Sequence, residues 1–158
     1  MLRKTAFGVL LLLLAAAIWL YHPLPNNPTS NELAEAAEKY SAEIIRDEWG
    51  VPHIVGERDA DASFGLAYAH AEDDFETIQE TVAATRGVLA RYRGKDSAPT
   101  DYIVSLLDVW GTVERDYQDK VPADVKAIAE AYAAGVNLYA ARNPDQTWQG
   151  LAKQPQDL

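Results

Sequence analysis

Three polar residues in the middle of the chain have types and spacing that could bind a metal ion. His70, Asp73 and Asp74 stand at positions i, i+3 and i+4, so a helix would present them on one face. Two carboxylates and an imidazole are ligands that a hard or borderline cation accepts. The same residues would also suit a solvated polar face, because one short cluster without a distant partner is weak evidence for a site. The pattern leaves both interpretations open.

A histidine and three arginines are the other candidates for chemistry. His53 could act as a general base near neutral pH, although no nearby serine, cysteine or orienting acid can be named as its partner. Arg86, Arg91 and Arg93 could together bind a carboxylate, or could pair with local acids on a solvated face. The sequence shows no glycine-rich phosphate loop, zinc-protease helix or serine elbow. Residue chemistry alone therefore does not indicate an enzyme.

The composition excludes several classes of protein and site. The chain has 158 residues, a size typical of one domain, and a formal net charge of -10. It has no cysteine, which excludes a disulfide framework, a cysteine nucleophile and a thiolate metal site. Nucleic acids are bound through clustered lysine and arginine, so the acidic balance predicts that nucleic acid is not a partner. We attribute the acidity to solubility.

The N-terminal segment, residues 1–21, is predicted to be a secretory signal peptide or a membrane anchor. Arg3 and Lys4 precede an uncharged, mainly apolar run that continues to Tyr21. Small residues with the spacing of a cleavage site lie inside this run, which favours a cleaved signal peptide. The run is also just long enough to span a bilayer, which favours an uncleaved anchor. Both interpretations place the following residues outside the inner membrane. We therefore expect a periplasmic protein, or one anchored in the membrane through residues 5–21.

A linker and a small sheet are predicted next. Residues 22–31 are rich in proline and asparagine and are assigned as a linker, and residues 32–158 as the domain. A capping box formed by a threonine and a glutamate predicts a short helix over residues 30–39. Strand-forming residues around a Trp-Gly turn predict a hairpin with strands near 42–48 and 51–56.

The remainder is predicted to be helical. From Asp61 one apolar run of helical period covers Phe64 to Ala71, and a second covers Phe75 to Tyr92 and ends at Gly94. Gly87 interrupts the second run, and we expect a kink or close packing there. A third helix over residues 100–110 and a fourth from Pro122 to Asn143-Pro144 follow. The third helix is predicted to turn four side chains inward: Ile103, Leu106, Leu107 and Trp110. Three tryptophans are predicted to pack rather than to bind: Trp49, Trp110 and Trp148.

Several motifs in a fixed order resemble the opening of the penicillin amidase (acylase) family. They are Arg46-Asp47, then Gly50 to Ile54, then Phe64-Gly65 with Tyr68 to Asp73, then Arg86-Gly87 with Gly94, and finally Ala131 to Asn137. The match covers roughly residues 42 to 143, and the order of separate motifs makes it specific. The form of the segment from Arg86 to Gly94 is most similar to acyl-homoserine-lactone and aculeacin acylases.

This resemblance implies an N-terminal-nucleophile hydrolase. Members are exported as long precursors that cleave themselves into an α chain and a larger β chain. The first residue of the β chain, usually serine, attacks the amide carbonyl with its own α-amino group as the base. The fold class expected here is α+β: a mostly helical α-chain portion with a short β-hairpin, which completes an αββα sandwich with a β chain that is missing.

The chain departs from the family pattern because no nucleophilic serine at a processing site is present. Ser97 and Ser105 lie inside the α-type region, so no catalytic residue is assigned and the substrate-binding residues stay unknown. The family's calcium ligands would lie downstream. We therefore expect no cofactor or metal in this chain, and calcium only as an option for the full-length protein.

What the resemblance assigns to this chain is structural. Gly50, Pro52 and His53 would shape the hairpin, Gly65 and Gly87 would allow close helix packing, and Asn137 would make a buried polar contact. The full set of motif residues is Arg46, Gly50, Pro52, His53, Gly65, His70, Asp73, Arg86, Gly87, Gly94, Gly135 and Asn137.

The resemblance therefore predicts the N-terminal part of an exported acylase precursor that is inactive alone. Its partners would be the downstream β chain and a small N-acyl amide substrate. Without the β chain, apolar helix faces should be exposed, at Val125, Ile128, Tyr132 and Tyr139. The alternative is a non-catalytic, membrane-anchored helical module that binds a partner.

Overall fold

The computed structural model describes residues 29–148 and residue 151. This part of the chain is mostly helical with one two-stranded antiparallel sheet, which confirms the predicted α+β class. The helices are α1 (Ser30–Ala37), α2 (Asp59–Thr85), α3 (Ala90–Arg93), α4 (Ala98–Leu106), α5 (Val109–Lys120) and α6 (Ala123–Arg142). The strands are β1 (Ala42–Arg46) and β2 (Pro52–Gly56), and two 3-10 turns cover Lys95–Ser97 and Pro144–Gln146.

The first helix begins as its capping residues predict. The Thr29 hydroxyl accepts a hydrogen bond from the Glu32 backbone N–H, and the Glu32 carboxylate accepts one from the Thr29 N–H. These two bonds satisfy donors that a helix start would otherwise leave free. Helix α1 ends at Ala37, two residues earlier than expected, since helix ends are the least certain part of such a prediction.

The hairpin follows its predicted position closely. Ile44 pairs with Ile54, and Arg46 pairs with Pro52 at the end of the ladder. Proline has no backbone N–H to donate to the hydrogen bonds between strands. It is therefore tolerated at the first residue of a strand, which is the position of Pro52 in β2. Alternate residues such as Ile44 and Ile54 face α2, whereas Ile45 is exposed. Two strands alone are marginally stable, so this sheet depends on the helix beneath it.

The core lies between α2 and α6. Ala67, Ala71 and Phe75 of α2 pack against Val136 and Ala140 of α6, and all five side chains are buried. The small residues at these positions let the two helix backbones approach each other closely. A second, smaller apolar cluster forms farther along α2, where Val82 and Ala83 meet the segment after α6.

Several predicted element boundaries are wrong. The predicted helix over residues 100–110 is two helices, because Asp108 adopts a left-handed conformation with φ 49° and ends the first one. Three of the four side chains that were expected to face the core are instead exposed to solvent: Ile103, Leu106 and Leu107 are 54–67% exposed. Trp49, expected to pack, is 75% exposed at the hairpin turn.

The predicted signal or anchor at residues 1–21 lies outside the described residues, as does most of the linker. Among the residues that the structure describes, no helix is long and apolar enough to cross a membrane.

Candidate functional site

Arg46 joins the hairpin to helix α2. Its guanidinium donates to the Gly50 carbonyl at 2.9 Å, to the Glu72 carboxylate at 3.1 Å, and lies 2.9 Å from the Asp73 carboxylate. These acceptors, led by Glu72 and then Asp73, raise the pKa of Arg46 above its usual value. The Arg46 side chain thus connects the hairpin turn, at Gly50, to the middle of α2, at Glu72 and Asp73.

The hairpin turn is built on Asp47 and Gly50. The Asp47 carboxylate accepts hydrogen bonds from the backbone N–H groups of Trp49 and Val51, each at 2.9 Å. These bonds, that of Val51 foremost, lower the pKa of Asp47. Gly50 adopts φ 83°, a left-handed conformation that glycine reaches without strain. The exposed ring of His53, a residue of β2, lies 3.4 Å from the Asp47 carboxylate, so this histidine contacts the turn.

Two motif glycines lie where elements come closest. A Cβ on Gly65 would lie 2.7 Å from Ala42 Cβ and 2.8 Å from Ile54 Cγ2, so the hairpin rests on this point of α2. A Cβ on Gly135 would overlap the Phe64 carbonyl oxygen and lie 2.8 Å from a neighbouring alanine Cβ. The expectation that Gly65 permits close packing therefore agrees with its contacts, and Gly135 has the same role between α2 and α6.

His70 and Asp73 do not form a metal site with Asp74. His70 Nδ1 is 2.8 Å from the Tyr132 hydroxyl, whereas Asp73 is held by Arg46. Asp74 has non-helical dihedral angles, φ −154° and ψ 72°, at a kink in α2. The assumption that one regular helix carries all three side chains on one face is therefore wrong. No group of three ligating side chains among residues 29–148 converges on a point that could hold a metal ion.

The residues around Gly87 form the end of α2 rather than its interior. Gly87 adopts φ 67°, its N–H donates to the Ala84 carbonyl at 3.0 Å, and the Val88 N–H donates to Ala83 at 2.9 Å. This pair of bonds is the Schellman pattern that stops a helix at a left-handed glycine. The second predicted run, from Phe75 to Gly94, is therefore not one helix, although Gly94, with φ 88°, does end the short helix α3.

The three arginines of this region differ in the contacts that the structure gives them. Arg93 donates to Glu76 at 2.6 Å and to Glu80 at 3.0 Å, which are local acids on α2. Arg86 lies over the Trp110 ring and Arg91 over the Tyr92 ring. Of the two predicted roles, binding one carboxylate or pairing with local acids on a solvated face, Arg93 has the second.

Three polar residues that hold elements together were not identified from the sequence: Asp61 and Gln79 are buried, and Asp101 is partly buried. The Asp61 carboxylate accepts hydrogen bonds from the Arg58 side chain and from the Ser41 N–H. Gln79, 1% exposed, donates to the Gln146 carbonyl and accepts from the Trp148 N–H. Asp101 accepts hydrogen bonds from the N–H groups of residues 89 and 90. Asn137, which was predicted, is also buried at 8% exposure.

Apart from the local bond between Arg58 and Asp61, these contacts connect residues 11 to 69 positions apart in the sequence, and single polar residues give no signal of such distant partners. Taken together, the motif residues form a scaffold: a hairpin fixed on a close-packed helix pair. Neither Ser97, in a 3-10 turn, nor the exposed Ser105 belongs to it.

Comparison with known proteins gives a consistent result. The profile of the penicillin amidase family matches residues 41–156. Penicillin acylase 2 proenzyme of Pseudomonas sp. (strain SE83) is 32% identical over 114 residues, covering 72% of this chain and 15% of that protein. Acyl-homoserine lactone acylase PvdQ of Pseudomonas syringae pv. tomato is 30% identical over 131 residues, covering 78% of this chain and 17% of that protein. The chain thus spans about a sixth of the curated relatives it matches.

A solved structure shows the same fold. The thermostable penicillin G acylase from Alcaligenes faecalis aligns with a TM-score of 0.62 and 23% sequence identity. The alignment covers 74% of this chain and 67% of that one. An alignment of similar length covers only 15% of the penicillin acylase 2 proenzyme. The matched chain of the solved acylase is therefore several times shorter than that proenzyme.

Proposed function

This chain belongs to the penicillin amidase family, and from that premise we propose that it forms the N-terminal part of an exported acylase. The proposed reaction is hydrolysis of the amide bond of an N-acyl compound, of the penicillin or the acyl-homoserine-lactone type. The observation that carries the proposal is the family match over residues 41–156, because it includes the hairpin and the whole of the α2–α6 pair.

The proposed chemistry uses a nucleophile outside this chain. An N-terminal serine of a larger chain attacks the amide carbonyl, and its free α-amino group takes the hydroxyl proton. The C–N bond breaks, the amine leaves with that proton, and an acyl ester remains on the serine. Water then hydrolyses the ester to the carboxylic acid and regenerates the serine. Any calcium ion of the full-length protein would be bound by residues of that larger chain.

The role proposed for residues 29–148 is to support that larger chain. A helix pair in close contact, fixed to a hairpin by Arg46, is a rigid surface on which a second chain could fold. The lengths of the relatives support this arrangement. Alignments of similar length cover 67% of a solved acylase chain but only 15% of a proenzyme, which supports the proposal that the matched region is a chain of its own.

The substrate class is proposed from the relatives alone, some of which are named penicillin acylase and others acyl-homoserine lactone acylase. The location is proposed to be the periplasm or the outer side of the inner membrane, from the basic and apolar residues that open the sequence.

The experiment that tests this proposal uses the complete gene product. The reading frame is sequenced beyond the codon for Leu158, and the whole product is expressed in an export-competent host. Mass spectrometry then reports self-cleavage, and a panel of N-acyl lactones and penicillins reports acyl release. We expect two chains, of which the larger begins with serine, and an inactive product when that serine is replaced by alanine.

A different result would overturn the proposal. A stop codon after Leu158 in an expressed gene, with no acyl release by the product, would favour the alternative. The protein would then be a non-catalytic, membrane-anchored helical module that binds a partner.

A further inference from the structure

Helix α4 presents its apolar side chains away from the rest of the molecule. Tyr102, Ile103, Leu106 and Leu107, here called the arm patch, are 66%, 54%, 67% and 66% exposed. Their spacing of i, i+1, i+4 and i+5 places them on one side of the helix. An amphipathic helix of a monomer normally turns this side to the core. In this chain the helix is oriented the other way.

The opposite side of α4 faces the body of the protein and explains this orientation. The Asp101 carboxylate accepts the backbone N–H of Leu89 at 2.7 Å and that of Ala90 at 2.9 Å. Val104 Cγ1 would lie 3.4 Å from a Cβ on Gly87, so the helix rests against the end of α2 through this residue. Because Asp101 and Val104 hold the helix from one side, the arm patch must point outward.

Helices α4 and α5, residues 98–120 and here called the arm, have no buried residue. Helices of 9 and 12 residues are short for independent stability in water, where packing of an apolar side supplies most of the stability. Four large, adjacent apolar side chains with this exposure form the kind of patch that marks a protein interface. The arm therefore needs a covering surface.

We propose that the arm patch is the docking surface for the larger chain of the acylase precursor. This inference rests on the proposed function, since it takes the occupant from there. The relatives support that occupant because their sequences are about six times longer than the region that this chain matches. The complementary surface on the larger chain is an apolar, uncharged groove that receives one side of a helix.

The test compares two neighbouring substitutions in the complete gene product. Leu106→Asp places a charge in the arm patch, whereas Ser105→Asp adds the same charge to the same helix outside the patch. Ser105 is also exposed, so both variants should leave the fold of residues 29–148 intact. The yield of the two-chain complex is measured by size-exclusion chromatography of the tagged, exported protein.

We expect Leu106→Asp to reduce the yield of the complex by about tenfold or more, and Ser105→Asp to leave it close to the parent value. In the 158-residue chain expressed without the larger chain, Leu106→Asp should keep the helical circular dichroism signal and reduce aggregation. This second measurement separates a docking residue from a core residue, because a charge in a core would abolish the helical signal.

Three results would overturn the inference. Equal yields for both variants, with active enzyme formed, would remove the arm patch from the interface and leave the proposed function standing. Self-association of the 158-residue chain that Leu106→Asp abolishes, with an unchanged yield of complex, would identify a second copy as the occupant. A gene that encodes no larger chain would overturn the proposed function and this inference with it.

Discussion

The guanidinium of Arg46 lies 2.9 Å from the carboxylate of Asp73. This pair connects the end of β1 to α2 at the residue that immediately precedes the kink at Asp74. Both residues belong to the motifs on which the resemblance to the penicillin amidase family was based, and here they hold the hairpin on the helix pair. The contact assigns Asp73 to an ion pair, which is a different role from the metal ligand that its spacing with His70 suggested.

Replacing Arg46 by alanine should loosen the hairpin. The variant loses the contacts to Glu72, Asp73 and the Gly50 carbonyl together, so we expect the melting temperature of the full chain to fall by a few degrees. Arg115→Ala is the matched control, because its ion pair with Asp108 and its hydrogen bond to Thr112 both lie within the arm. Thermal melting followed by circular dichroism measures both. A larger loss for the control would contradict the role given to Arg46.

Gly135→Ala should separate the helix pair. The new Cβ would overlap the Phe64 carbonyl oxygen and approach Ala67, and a backbone oxygen cannot turn aside as a flexible side chain can. Overpacking of this kind costs roughly 1–3 kcal/mol and outweighs the gain in helix propensity of about 1 kcal/mol. Urea unfolding measures the loss. Gly111→Ala is the control, since the atoms nearest its new Cβ belong to the exposed Asp108 side chain, which can turn aside into solvent, and this variant should be neutral or slightly stabilising.

Gly87→Ala should destabilise the end of α2. A left-handed conformation costs a residue with a Cβ about 1–2 kcal/mol, and here the Cβ would also lie 3.3 Å from the Asp101 carbonyl oxygen. Gly87→Asn should cost less, because asparagine adopts left-handed dihedral angles more readily. Equal losses for the two variants in urea unfolding would show that space, and not the backbone angle, determines the residue at this position.

Stability should fall in acid through Asp61. Its hydrogen bond with the Arg58 side chain, followed by that from the Ser41 N–H, lowers the pKa of Asp61 to about 2 from its usual 3.8. A lowered pKa contributes stability that is present above the unfolded value and lost as the pH falls through the folded value. The contribution of Asp61 should therefore disappear between about pH 4 and pH 2.

Urea midpoints measured from pH 7 to pH 2 test this dependence. Asp61→Asn keeps the size of the side chain and removes the titrating group, so its midpoint should be lower at pH 7 and flatter below pH 4. A variant whose midpoint follows the parent protein at every pH would assign the acid sensitivity to other carboxylates.

The sequence by itself determined the local elements of this protein. The capping box of Thr29 and Glu32, the Trp-Gly turn and the helical apolar repeats each act over a few residues, so their geometry follows from spacing alone. The ordered motifs also indicated the family, and the family profile matches residues 41–156, which contain all of these motifs.

Only the tertiary structure decided which partners these residues have. Gly87 stops α2 instead of bending it, and the repeat continues past it in the sequence because α3 begins a new helix three residues later. The apolar residues of α4 were expected inside, since periodicity gives the apolar side of a helix but not the direction in which it points. Asp101 fixes that direction through backbone groups 11 and 12 residues away. Such contacts form only when the chain has folded, so no pattern of residue types along the sequence contains them.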